Sequence, residues 1–353
     1  MPPRLIEPAV ARAVARRVAG DGGLDGSYLL ERLRRDLDDA VARSEQLVAE
    51  ASGIPAPPPV AWDVIDRATW AEINISSMTT LMAPLAEKID QRMKAVPLPV
   101  RLAQRSLLSA EVGLLLGYIS RRVLGQYDLL VPEEGAGARR GVPLIFVGPN
   151  MVETERRLGL VPEDFALWVA VHEVTHRFQF AGVPWLRDHF LSLVRRYLNQ
   201  VDLDARDLAS RLSGAVRKLA SRSTPAEERN PVYLLANDDQ RAALDEIQAL
   251  MALVEGHGNF VMDLVGSKVI PTAGRMRALF RKRRDQSNAV QRALGHVLGL
   301  EMKLRQYEMG QRFCDEVYRR GGTAALARLW ADPSEIPTLD ELREPNRWLL
   351  RVA

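Results

Sequence analysis

Charged and apolar positions alternate at helical spacing through most of the chain. Residues 6–19 and 25–51 keep that rhythm, and SGIPAPPPV at 52–60, with four prolines, interrupts it. Proline lacks an amide hydrogen and restricts the residue before it, so this stretch predicts a connector. The rhythm returns over Trp62–Ile89 and Val100–Leu124, where Leu107, Leu108, Val112, Leu115 and Leu116 form an apolar stripe that predicts core. Tyr127–Val131 and Pro143–Val147 read as strands; they flank the turn-rich PEEGAGARRG at 132–141 and so predict a hairpin-like pair.

A long helix is predicted from about Pro162 to Ala181. Pro162 suits a first turn, Glu163 and Asp164 favour the positive helix end, and Gly182 with Pro184 ends the pattern. Further helices are expected at 185–221, 238–266, 274–320 and 322–331, and the polar SRSTPAEERNPV at 222–233 reads as an exposed loop. The pattern thus predicts a mainly α fold with a small β-sheet. It suggests an N-terminal helical region over 1–125 and a second region over 126–353, which can equally form one continuous domain.

With 353 residues, 47% of them hydrophobic, the chain can bury a substantial core, and its low aromatic share of 6% favours helix over sheet. The formal charge of +3 is too small to imply a nucleic-acid partner. The basic run Arg275, Arg277, Arg281, Lys282, Arg283 and Arg284 accordingly reads as a solvated helix face. Cys314 is the only cysteine, which excludes an intrachain disulfide and fits a reducing, cytoplasmic setting. Glu7 and its charged neighbours break any signal-peptide core, and no stretch reaches the roughly 20 apolar residues of a membrane span.

The long helix contains WVAVHEVTHRFQF, with the pattern H-E-x-x-H at His172, Glu173 and His176. At about 100° per residue, four residues turn about 400°, so both imidazoles leave nearly the same face one turn apart. They can occupy two corners of a zinc tetrahedron, while Glu173, about 100° round the helix, stands beside a metal as a base. Leu167, Val171, Val174 and Phe178 line the opposite side and predict a buried helix. The plain alternative is a core helix with two satisfied histidines. The chain has only five histidines, so chance pairing around a glutamate is a weak explanation.

A catalytic zinc needs a third protein ligand. The metzincin pattern would require Gly at 179 and His at 182, where this chain has Gln179 and Gly182. His189, Glu255, His257 and His296 remain. Glu255 is favoured because it sits in the apolar ALMALVEGHGNFVMDLVG, where an unpaired carboxylate is costly, although an ion pair with an arginine would also explain it. Gly256 and Gly258 would let a second helix approach there. His257, two residues on, faces away from Glu255 in an intact helix. Asn259 and Asp263 share the face of Glu255 and could hydrogen-bond a ligand from behind. Arg305, Tyr307 and Arg312 are candidates to stabilise an oxyanion, with Tyr307 preferred.

The combination of HEVTHRFQF, LVEGHGNFVMD, LRQYEMGQRFC and IFVGPN at 145–150 resembles a family of zincin-like hydrolases. Its members are labelled zinc-dependent metalloproteases or proteins associated with deazaflavin-coenzyme biosynthesis. The resemblance covers most of the chain. It implies a zincin-like metallohydrolase fold in which His172, His176 and Glu255 bind Zn2+, as in gluzincins, with the small sheet beside the active-site helix.

The expected activity is hydrolysis of a peptide or other amide substrate with Glu173 as general base. The rival reading is a non-catalytic zincin that binds zinc and serves as an interaction scaffold. Oligomeric state is not legible in the sequence.

Overall fold

The computed structural model describes residues 5–20, 22–24, 26–94, 96–130, 143–200, 236–285 and 300–352; the side chains of 283–285 and 300–307 lie outside that description. The chain divides into two compact units, one made of Met1–Arg187 with Val261–Lys282 and the other of Asp188–Phe260 with Arg283–Ala353. Both are discontinuous in sequence, and the boundary expected at residue 125 falls inside the first.

In the first unit, helix α1 (Pro8–Ala19) begins on a proline and ends at Gly20. Helix α2 (Tyr28–Ser52) is capped by Ser27, whose side chain accepts from the Leu29 amide. The chain then enters strand β1 (Trp62–Ile65), where a helix was expected from Trp62. Val64 and Ile65 are β-branched, and Asp66 starts helix α3 (Arg67–Leu81) by accepting from the Thr69 amide at 2.7 Å. The expected single helix breaks again at Met82, because Pro84 suits the first turn of a new one, α4 (Ala83–Met93).

Helix α5 (Leu98–Ser120) packs on α1 with almost no side chain between them. A Cβ on Gly113 would stand 2.4 Å from the Ala11 carbonyl oxygen, and one on Gly117 2.8 Å from that of Ala15. Ile6, Ala11, Ala15, Trp70, Ala71, Ile75, Ile145 and Val147 form the core between these helices and the sheet. Of the stripe expected to be core, Leu107 and Leu108 are instead exposed, because α5 turns its glycine and serine side inward.

Strands β2 (Gly125–Tyr127) and β3 (Leu144–Val147) pair antiparallel as expected, but the first strand ends at Tyr127, where the expected one began; residues 131–142, the turn-rich segment among them, lie outside the described residues. Strand β1 pairs with β3 in parallel, which gives the order β1-β3-β2. All four residues of β3 are buried, as befits a central strand covered on both faces.

Helix α6 (Gly148–Leu158), unrecognised in the sequence pattern, follows directly from β3 and ends at Gly159 in the left-handed region (φ 58°). Its Asn150 ties three elements together: it accepts from Arg67 Nε at 2.6 Å and donates to the carbonyls of Ser120 and Val123. Arg32 of α2 grips both carboxylate oxygens of the buried Glu155, whose pKa is raised because burial outweighs that partner.

Helix α7 (Pro162–Gly182) packs along α2 and against the sheet. In the second unit, helix α8 (Leu186–Asn199) is followed by α9 (Asp238–Val269), which continues into the first unit. Residues 201–235, including the loop expected at 222–233, lie outside the described residues. Helix α10 (Ala273–Asp285) belongs mostly to the first unit, where Phe280 packs at a tilt on Trp168 with ring centroids 4.9 Å apart and Thr272 donates to Asp164. In the second unit, helix α11 (Leu300–Arg328), bent at Gly322, crosses α9, and Phe313 meets Trp348 of the short C-terminal helix edge to face. Among the described residues no helix is long and apolar enough to cross a membrane.

Candidate metal centre

Helix α7 is buried on almost every side. From Phe165 to Phe180 every residue but His172 and His176 is buried, so the helix opens at one place and the two imidazoles stand in the opening. Leu167, Val171, Val174 and Phe178 lie in the core, as the apolar stripe predicts. The neighbouring Arg177 has no exposed surface: it reaches Glu45 of α2 and donates to the Pro58 carbonyl at 2.5 Å, which pins the proline-rich connector to the helix. Burial pushes the Glu45 carboxyl up, against the opposing pull of Arg177.

The Nε2 atoms of His172 and His176 are 3.2 Å apart, with ring planes at 82°. Two nitrogen ligands of tetrahedral zinc, each about 2.0–2.1 Å from the ion, stand roughly 3.3 Å apart. The pair is therefore spaced as two zinc ligands are. Gln179 Oε1 lies 2.8 Å from His176 Nδ1. A carbonyl oxygen can only accept, so Nδ1 carries the proton and Nε2 keeps its lone pair for a metal. Gln179 is fully buried one turn further along the same helix, and in the sequence pattern it signals only the departure from the metzincin motif.

Glu173 is buried at 7% exposure. Its side chain lies against Gly125, the first residue of β2: a Cβ there would be 2.7 Å from Glu173 Cγ and 2.9 Å from Cδ and Oε1. The sequence pattern starts this strand at Tyr127 and carries no signal for Gly125.

Within the second unit, α9 runs unbroken through Gly256 and Gly258. Between Ala252 and Met262 only Glu255 and Asn259 are not buried, one turn apart on one face. Gly256 allows the close approach expected of it, since a Cβ there would be 2.2 Å from the Gly310 carbonyl carbon of α11. His257 is fully buried with Trp330 and Phe260 as ring neighbours, at 5.0 and 6.4 Å between centroids. Asp263, in the part of α9 that belongs to the first unit, pairs with Arg277 at 3.5 Å. That pair also engages part of the basic run. His189 sits on α8, and burial lowers its pKa. Tyr307 falls within α11, but its side chain lies outside the described residues, as does His296.

The comparisons with known proteins agree with this chemistry. A crystal structure from Chloroflexus aurantiacus, described as that of a candidate hydrolase with a novel fold, is similar over 98% of this chain and 98% of its own, at 31% identity and a TM-score of 0.68. No curated protein matches. Residues 6–349 match one protein family from end to end, the H-E-x-x-H helix and its sheet included, and the chain belongs to that family, the zincin-like metallopeptidases.

Proposed function

We propose that this protein is a zinc-dependent hydrolase that cleaves amide bonds, with peptides as its substrate class. The observation that carries the reading is the pair of imidazoles in the single opening of a buried helix, their Nε2 atoms 3.2 Å apart, with the Glu173 carboxylate on the same helix beside them. Glu255, the carboxylate in the apolar LVEGHGNFVMD, is assigned as the third ligand, which with His172 and His176 gives the two-imidazole, one-carboxylate donor group of a gluzincin. Asn259, one turn from Glu255 on the same helix, is assigned to steady that carboxylate, whereas Asp263 pairs with Arg277.

Zinc, when bound, supplies Lewis acidity that polarises a carbonyl and makes water acidic near neutral pH. The residues of the chain do the rest. Glu173 takes the proton released as water attacks the scissile carbonyl, then delivers it to the leaving amine. Tyr307 is assigned to the developing oxyanion. An extended substrate can add as a further strand, though not on β3, which is paired on both sides. Among the described residues the outer strand beside Glu173 is β2, and its edge is where the substrate backbone is assigned.

Metal analysis of the purified protein is expected to give about one zinc per chain, lost in His172→Ala and in His176→Ala. Glu173→Gln should keep the zinc while turnover of a peptide-library substrate falls about 100-fold or more. Unchanged turnover in that variant would refute the mechanism. Stoichiometric zinc with no turnover across broad libraries would favour the non-catalytic scaffold instead.

A further inference from the structure

A general base works only from a defined place, and Glu173 is held there by a feature of another element. Gly125 opens β2, and its φ lies outside the left-handed region, so the backbone itself does not demand glycine. What demands it is space. A Cβ at 125 would meet Glu173 Cγ at 2.7 Å and Cδ and Oε1 at 2.9 Å, closer than carbon atoms of real side chains pack. The three nearest atoms all belong to Glu173, and none belongs to the strand, the sheet or the remainder of α7.

We propose that Gly125 is a positioning residue for Glu173: the missing side chain on the edge strand is the slot in which the carboxylate arm lies. Both flanks of the slot are rigid. Gly125 is in register with Phe146 of the buried central strand, and Glu173 is seated in a helix whose neighbouring residues, Val171, Val174 and Thr175, are fully buried. Any side chain at 125 therefore pushes the carboxylate out of its place rather than moving the strand. The catalytic consequence rests on the reading of Glu173 as base; the slot does not.

A double-mutant cycle on the metal-free protein tests the slot by itself. Gly125→Ala should lower Tm by about 3 °C or more when Glu173 is present, as overpacking does. In the Glu173→Ala background the crowded atoms are gone, and the same substitution should cost less than about 1 °C. Equal losses in both backgrounds would overturn the proposal. If Gly125→Ala alone does not fold, the double variant is expected to fold with a Tm near that of Glu173→Ala, and its failure would be equally decisive.

With zinc restored, Gly125→Ala should keep about one zinc per chain and a KM within about 2-fold, while kcat drops about 10-fold or more. An unchanged kcat, in a protein that Glu173→Gln inactivates, would also sink it. Should Glu173→Gln leave turnover intact, the assignment of the base is what fails, and the stability cycle alone decides the slot.

Discussion

Gln179 has an acceptor oxygen 2.8 Å from His176 Nδ1 and is fully buried, so its amide has little freedom to turn away. A partner of this kind fixes the tautomer and aims the ring, and its loss commonly costs about 10–100-fold in metal affinity. Gln179→Leu, similar in volume but without the acceptor, is expected to weaken zinc binding by about that factor in a chelator competition. Gln179→Glu retains an acceptor at the same distance and should recover most of the loss. Equal affinities for wild type and Gln179→Leu would show that packing alone orients His176. The residue can be read only when its target is known, because a glutamine three positions after a histidine is unremarkable by itself.

The helices owe their separations to where side chains are missing. At the crossing of α9 and α11, a Cβ on Gly310 would stand 1.8 Å from the Ala252 carbonyl oxygen, and that oxygen belongs to a helix backbone that cannot step aside. Gly310→Ala is therefore expected to destabilise by about 3 kcal/mol or more, at or above the upper end of overpacking costs, in urea unfolding. Gly274, near the start of α10, has open space around its Cβ position. Gly274→Ala should stabilise by about 0.5–1 kcal/mol, because it restricts the unfolded chain without meeting anything in the fold. Similar effects from the two substitutions would mean that propensity, not approach distance, governs these glycines. The periodicity of the sequence located α9 closely, yet it had no means of grading its glycines. Grading requires knowing which helix crosses, and where.

On the scale of the whole molecule, a ligand that binds only the folded chain adds to its stability by mass action. At free zinc about 100 times Kd, the gain is about 2.7 kcal/mol. Calorimetry with and without a chelator should thus show a higher Tm for the zinc form of the wild type. The difference should vanish in His172→Ala. A chelator effect of the same size in that variant would place the stabilising metal elsewhere. The same comparison on Glu255→Ala, set against His257→Ala, tests the third ligand: the first should lose most of the difference and the second little of it, since His257 is packed against Trp330 and Phe260.

Several features were determined by the sequence alone. Pro162, the acidic first turn and Gly182 mark the limits of α7, and the helical repeat places His172 and His176 one turn apart. Those are statements about residues close together in the chain, where backbone geometry converts spacing directly into position. The mainly helical character and the β2–β3 pairing were legible for the same reason. Tertiary structure decided the rest. Trp62–Ile65 has apolar residues that suit either a helix or a strand, and it became a strand because β3 lay open beside it. Leu107 and Leu108 looked like core until α1 took the glycine side of α5. Gly125 acquires its meaning from Glu173, and Arg177 from Glu45 and the prolines, partners far along the chain. Spacing carries no information about such pairs, since only the folded chain brings them within a few ångströms of one another.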